Sequence, residues 1–254
     1  MVNGALKVTF CAYRPWIRDP RIIPYGNSMT TATGYSFPSG HTMNAATVYG
    51  GGALRKDLPK SARIGLGLLV VLVAFSRNFL GVHTPQDVIV GGIAGVLVMW
   101  GVLKLTGWIE KNPGKDWIIM CAGIALAVAI AVYASMKSYP VDFDADGKLI
   151  VDGAKMARDT FKAIGWCAGV LTGWFLERRF VRFSTDVSFG KRLARGVIGL
   201  ISYYAVSLVL VSLITNTLAA PAGLIIGCFI QMFYVVFLFP WCIKHFEKAE
   251  PSAE

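Results

Sequence analysis

The chain has 254 residues, of which 55% are hydrophobic and only 16% charged, with 25 Lys and Arg against 15 Asp and Glu for a formal net charge of +10. Soluble domains carry about 25% charged residues, and several apolar runs here reach the roughly 17–25 residues needed to cross a bilayer. An ordinary soluble domain is excluded, and the positive balance speaks for basic cytoplasmic loops before it speaks for nucleic acid.

Residues 1–37 are polar and aromatic, punctuated by Arg14-Pro15, Asp19-Pro20 and Pro24-Tyr25-Gly26. This stretch is too polar for the apolar core of a signal peptide. Lys7 and Arg14 are seven apart and share a face if the segment is helical; the proline then ends that helix near Arg14. Phe37-Pro38-Ser39-Gly40-His41 opens a helix predicted from about Thr42 to Leu54. Ser39 is placed to cap it, and Gly40 lets a backbone N–H come close to an anion at the helix N-terminus.

A basic loop with Arg55, Lys56, Lys60 and Arg63 follows, then predicted helices Ile64–Leu80 and Asp87–Trp108. Between these two lies Ser76-Arg77…His83…Asp87, a cation, an imidazole and a carboxylate at one membrane boundary, where ionisable groups point to function. His83 and Asp87 are four apart, on one helical face, with Pro85 suited to the first turn. Asp87 can accept from one ring nitrogen of His83 and leave the other free as base, ligand or nucleophile.

Helix Trp117–Met136 is followed by a polar excursion over 137–159 and helix Thr160–Phe175. A strongly basic loop from Arg178 to Arg195 precedes helices Gly196–Ile214 and Leu218–Ile243. Within the excursion, Asp142-x-Asp144-x-Asp146-Gly147 imitates the first half of a calcium loop, but the twelfth position falls on Gly153, where a bidentate Glu is required. The favoured reading is a small β-hairpin near 140–152 about an Asp146-Gly147 turn. Small residues four apart recur at Gly91/Gly95, Gly165/Gly169/Gly173 and Gly223/Gly227, a pattern that lets membrane helices pack closely. Cys11, Cys121, Cys167, Cys228 and Cys242 are scattered, without zinc or redox spacing, and read as packing residues.

Most Lys and Arg lie on the loops at 55–63, 104–116 and 177–195 and on the tail, which makes that face cytoplasmic. His41, His83 and Asp87 then face outward. Lys7, Arg14, Ser39, Gly40, His41, Arg77, His83 and Asp87 form one outward constellation. Three cations and a helix N-terminus suit the equatorial oxygens of a phosphoryl transition state, and two imidazoles suit a two-step transfer. The guanidinium groups supply the charge that a metal would otherwise bring, so the site calls for no metal and no cofactor.

Each residue also has a plainer reading. His83 and Asp87 could be a structural helix-start pair or half of a zinc site, and Arg14 and Arg77 could be interfacial anchors. Arg18 and Arg21 read as surface residues. A serine protease dyad on Ser39 and a histidine leaves the three cations and Asp87 without a role.

Lys7 with Arg14-Pro15, Pro38-Ser39-Gly40-His41, and Ser76-Arg77…His83…Asp87 resemble the three ordered motifs of the type 2 phosphatidic acid phosphatase family, which shares its catalytic core with the vanadium haloperoxidases. The resemblance covers roughly residues 7–105. It implies His83 as the nucleophile of a phosphohistidine, Asp87 as its orienting carboxylate and His41 as general acid. It implies phosphate binding by Lys7, Arg14, Ser39, Gly40 and Arg77, without a metal, on a lipid phosphate or diphosphate. Members of that family usually carry further transmembrane helices ahead of the first motif. Only six residues precede Lys7, and those helices are expected to be absent.

The expectation is an all-α polytopic bundle of about seven spans, with a catalytic core at 1–110 and additional helices at 111–254. It is an integral protein of a bacterial cytoplasmic membrane with an outward site, whose partners are the bilayer and a lipid phosphate and not nucleic acid. A homo-oligomer stays open. A phosphotransferase of the same family and a non-catalytic lipid-handling protein are the alternatives.

Overall fold

A computed structural model describes residues 1–249. Among them the fold is all-α. Short helices α1 (Val2–Phe10), α2 (Pro15–Arg18) and α3 (Ser28–Thr31) precede α4 (Gly40–Ala53), α5 (Lys60–Phe79), α6 (Pro85–Lys111) and α7 (Asp116–Met136). Then come α8 (Gly153–Leu176), α9 (Phe189–Val206), α10 (Ser212–Thr217), α11 (Ala222–Phe233) and α12 (Phe239–Ala249), with π-helical turns at 177–181, 207–211 and 234–238.

Among the described residues five helices are long and apolar enough to cross a membrane: Lys60–Phe79, Pro85–Lys111, Asp116–Met136, Phe189–Thr217 and Ala222–Glu247. This is an integral membrane protein. The expected seven included two more. Helix α4 has 14 residues and spans about 21 Å, short of the roughly 30 Å hydrocarbon core. Helix α8 carries Lys155, Arg158, Asp159 and Lys162 in its first turns, which spoils its apolar window. The predicted hairpin is reduced to one antiparallel bridge between Phe143 and Leu149. Asp144 Oδ1 accepts the N–H groups of Asp146 (3.1 Å) and Lys148 (2.8 Å), and the Tyr13 hydroxyl donates to Asp142. These carboxylates are spent on holding the turn.

The chain divides into two compact units. One comprises residues 2–113 and 137–157; the other comprises Met1, 114–136 and the chain from 158 onward. The excursion thus folds with the first unit. In that unit α6 lies directly against α4 along Gly91 and Gly95. A Cβ on Gly91 would sit 2.6 Å from the Ser39 carbonyl oxygen, and one on Gly95 2.5 Å from that of Met43. Only glycine allows two backbones to approach this closely. The contact is fastened where the Ser39 N–H donates to the Asp87 carbonyl at 2.9 Å.

In the second unit, Gly165 and Gly169 of α8 face the backbone carbonyls of Ile225 and Phe229 on α11. Gln231 joins three helices there: its Oε1 accepts from Trp166 Nε1 at 2.7 Å, and its Nε2 donates to Tyr203 (3.0 Å) and Ser207 (2.8 Å). Such polar bonds hold helices together in an apolar medium.

Candidate active site

The turn that delivers His83 follows from two helix caps. Helix α5 ends in a Schellman motif: the Gly81 N–H donates to Asn78 O (2.9 Å) and the Val82 N–H to Arg77 O (3.2 Å), with Gly81 at φ +68. Glycine is favoured there because the left-handed conformation costs it nothing. Helix α6 opens on a capping box, in which Thr84 Oγ1 accepts the Asp87 N–H and Asp87 Oδ2 accepts the Thr84 N–H at 2.7 Å. Pro85 occupies the first turn as predicted. His83 precedes the cap, so it does not share a helical face with Asp87. The two meet because Asp87 reaches back to cap the helix, which leaves Oδ2 3.5 Å from His83 Nδ1.

Ser36 completes this arrangement, and sequence reasoning missed it. Its hydroxyl donates to Asp87 Oδ2 at 2.5 Å and lies 3.3 Å from His83 Nδ1. No spacing in the sequence marks it. Asn78 was also missed; its side chain donates to the His83 carbonyl at 2.8 Å.

Arg14 closes the other side of the ring. It is only 8% exposed. Its Nε donates to Gly34 O (2.8 Å), and Nη1 donates to Val82 O (2.8 Å) and lies 3.0 Å from His83 Nε2. A guanidinium has no acceptor, so Nε2 presents its lone pair and Nδ1 carries the proton toward Ser36 and Asp87. Lys7 and Arg14 do not share a helix as expected. Helix α1 stops at Phe10, Cys11 takes a left-handed φ of +48, and Arg14 is extended ahead of Pro15. The turn nevertheless brings both to one cavity. Lys7 Nζ donates to the carbonyls of Tyr35 and, at 3.4 Å, Ser36.

That cavity measures about 270 Å3 and is lined by Lys7, Arg14, Gly40, His41, Asn44 and His83. Asn44, one turn along α4 from His41, is a further polar group that the motif reading missed. Ser39 is fully buried: its hydroxyl accepts from the Thr42 N–H (3.4 Å) and hydroxyl (3.0 Å), so it caps α4 as predicted and does not line the cavity. Arg77 is half-buried on the last turn of α5, with its Nε donating to Ser76 Oγ at 3.1 Å, and it too stands outside the cavity lining. Its charge is felt at His41.

The electrostatics follow from burial and from like charge. Burial is the main cause that lowers the His83 pKa to about 4; Arg14 and Lys7 lower it further, and Asp87 opposes them. His83 is therefore neutral at pH 7. Burial, with Arg14 beside it, lowers Lys7 to about 7. His41 is lowered by burial and then by Arg77, Arg14 and Lys7. Lys7 and Arg14 line this small cavity and no carboxylate does, which favours a bound anion. Among the described residues no group of three His, Cys, Asp or Glu could hold a metal.

This membrane fold and its histidine-and-cation pocket agree with what comparison of the sequence shows. Residues 1–111 match the PAP2 superfamily, and residues 161–251 match the transmembrane extension of PAP2 superfamily phosphatases. Residues 1–111 thus carry a PAP2 superfamily domain, and residues 161–251 the transmembrane extension found in phosphatases of that superfamily. It is 40% identical over 108 residues to phosphatidylglycerophosphatase B of Bacillus subtilis, covering 39% of this chain and 52% of that protein. It is 40% identical over 82 residues to undecaprenyl-diphosphatase of Sulfolobus acidocaldarius, covering 31% and 38%. Glucose-6-phosphatase catalytic subunit 1 of Haplochromis nubilus is 29% identical over 165 residues, covering 56% and 46%. The chain thus spans about half or less of the length of these relatives. No solved structure matches it.

Proposed function

We propose that the protein hydrolyses the terminal phosphate of a lipid phosphate or diphosphate through a phosphohistidine. The observation that carries this is the proton arrangement at His83. Its Nε2 lone pair faces the cavity beside Arg14, while Nδ1 is backed by Ser36 and Asp87. The names of the relatives, a phosphatidylglycerophosphatase and an undecaprenyl-diphosphatase, agree with a lipid phosphate.

In the first step Nε2 attacks phosphorus, and the bond to the leaving oxygen breaks. Lys7, Arg14, Arg77 and the N–H groups at the start of α4 neutralise the equatorial oxygens, with Ser39 keeping that helix start in place. Asp87 stabilises the positive charge that develops on the imidazole. His41 gives its proton to the leaving alcohol or phosphate. In the second step the now neutral His41 takes a proton from water, the water oxygen attacks phosphorus, and the N–P bond breaks. Inorganic phosphate leaves and His83 is neutral again. The three cations do the charge neutralisation that a divalent metal would do, so the reaction needs none. The concentration of Lys and Arg in the segments at 55–63, 104–116 and 177–195 supports an outward-facing site in a bacterial cytoplasmic membrane.

The test is phosphate release by purified protein in detergent from phosphatidic acid and from a polyprenyl diphosphate, with chelator present. Release should stop with vanadate and vanish in His83→Ala at unchanged protein level. A stably folded His83→Ala variant with full activity would sink the mechanism.

A further inference from the structure

The residues Ile22-Ile23-Pro24-Tyr25 belong to none of the three motifs and do not line the small cavity, yet they rest on the turn that presents His83. Pro24 is buried, and a Cβ on Gly81 would lie 3.3 Å from its Cα. The Tyr25 N–H donates to the Leu80 carbonyl at 3.2 Å. Pinned in this way, the segment leaves its large side chains uncovered. Ile23 is 87% exposed and Tyr25 66%, and Ile22 is exposed beside them.

The patch continues along α5. The Tyr25 ring lies 6.0 Å from that of Phe79, which stacks on Phe75 at 6.1 Å. Both phenylalanines are exposed, and the apolar window of this membrane-spanning helix has none of its residues buried within the protein. Apolar surface that protein leaves uncovered on such a span is covered by lipid. The span ends at Phe79, so Tyr25 lies at the membrane boundary. Tyrosine is favoured there, because its ring sits among apolar chains and its hydroxyl among headgroups. Polar residues frame the segment: the exposed Arg21–Asp19 pair at 2.8 Å on one side and Gly26-Asn27-Ser28 on the other. A single exposed isoleucine needs no explanation, but an apolar patch continuous with a lipid-covered helix marks a contact surface.

We propose that Ile22–Tyr25 is an interfacial wedge that enters the bilayer leaflet on the side of the site. The occupant of this surface is lipid, because the patch runs without a break into the lipid-covered face of α5. Leu80 and Gly81, on which the wedge rests, stand three and two positions before His83. Acyl chains packed against the wedge therefore lie beside the turn of His83, and a lipid substrate reaches the pocket from the bilayer and not from water. The delivery of substrate rests on the proposed reaction; the contact with lipid does not.

The experiment places a photoreactive benzophenone amino acid at position 23 of the full chain in phosphatidylcholine vesicles. Irradiation and mass spectrometry are expected to give a protein–lipid adduct, in clear excess over the same group placed at Asp146, an exposed turn residue of the excursion. An adduct to a second copy of the chain in place of lipid, equal lipid yields at the two positions, or no adduct at all overturns the proposal. Turnover supplies a second readout. Ile23→Asp should lower kcat/KM on a long-chain lipid phosphate in vesicles by about tenfold, the scale of partly burying one such side chain. Propyl phosphate should be cleaved as by wild type, and Ile23→Leu should match wild type on both substrates. An equal fall on both substrates, or none on the lipid, overturns the delivery role. If wild type cleaves neither, the reading of the reaction falls and the adduct alone decides the surface.

Discussion

Arg14 Nη1 lies 3.0 Å from His83 Nε2, the nitrogen that attacks phosphorus in the reaction we propose. A guanidinium in that place fixes the tautomer of the resting imidazole and occupies its lone pair. An arriving phosphate offers the guanidinium anionic oxygens in exchange, and Nε2 is released as the substrate binds. Lysine cannot reproduce three bonds in fixed directions to Gly34, Val82 and His83. Arg14→Lys is expected to lower kcat/KM by about 10²- to 10³-fold. Steady-state kinetics on a phosphomonoester would check it, and a loss under threefold would reject this role.

Asp87 serves both the chemistry and the fold, and Asp87→Asn separates the two. The amide oxygen can still cap Thr84, so the melting temperature should hardly move. The charge that supports imidazolium is gone, so kcat should fall by about 10³-fold or more with a smaller change in KM. Rapid-quench measurement of phosphoenzyme formation would locate the loss in the first step.

Ser36 acts through Asp87 and His83 and is a positioning residue. Ser36→Ala removes the 2.5 Å bond to Asp87 Oδ2 and should lower kcat by about tenfold. KM should stay near its wild-type value, because Ser36 does not touch the phosphate. A fall confined to KM would assign it elsewhere.

The pH profile should show two limbs. In the reaction we propose His83 attacks only when neutral, and its pKa is lowered to about 4; kcat/KM should therefore rise as pH passes upward through about 4. Lys7, as the proposed phosphate ligand, acts only when charged, and its pKa is lowered to about 7; kcat/KM should fall as pH rises through about 7. Lys7→Arg keeps a charge at high pH and should move the alkaline limb upward while the acid limb stays. An unmoved alkaline limb would assign it to another group, His41 first.

Gly91→Ala adds a Cβ 2.6 Å from the Ser39 carbonyl, against backbone that cannot rotate away. The cost is about 1–3 kcal/mol of stability, and displacement of α4 should reduce turnover by about 10²-fold. Gly101→Ala on the same helix meets nothing within 4 Å and should leave both unchanged. Thermal melts and phosphate release on the pair would settle whether the close contact, and not glycine content, matters.

Much of this was legible in the sequence where chemistry imposes a spacing. Arg77, His83, Pro85 and Asp87 compress a helix end, a turn and a helix start into eleven residues, whereas the parts played by Gly81 and Thr84 emerged only with the caps they form. Gly91 and Gly95 announced a close approach, though not that α4 supplies the other backbone. Ser36 and Asn44 left no signal, because a lone polar residue acquires its meaning only from what tertiary packing sets opposite it. Five of the seven expected spans are long and apolar enough to cross a membrane, and the other two differ for a related reason: apolar content alone did not reveal how short α4 is or how charged the start of α8 is. The grouping of the excursion with residues 2–113 depends on contacts far apart in the chain, such as that of Tyr13 with Asp142.

The bond from the Ser39 N–H to the Asp87 carbonyl, beside Gly91, has a mechanical meaning. The helix of His41, the general acid we propose, and the helix of Asp87 meet backbone to backbone, so no side chain between them can change rotamer to absorb a displacement. A bilayer that thins or thickens can tilt the long spans, but it cannot slide α4 along α6 by a fraction of an ångström without breaking that bond. Tolerance to membrane deformation should therefore be flat up to a threshold and then be lost abruptly.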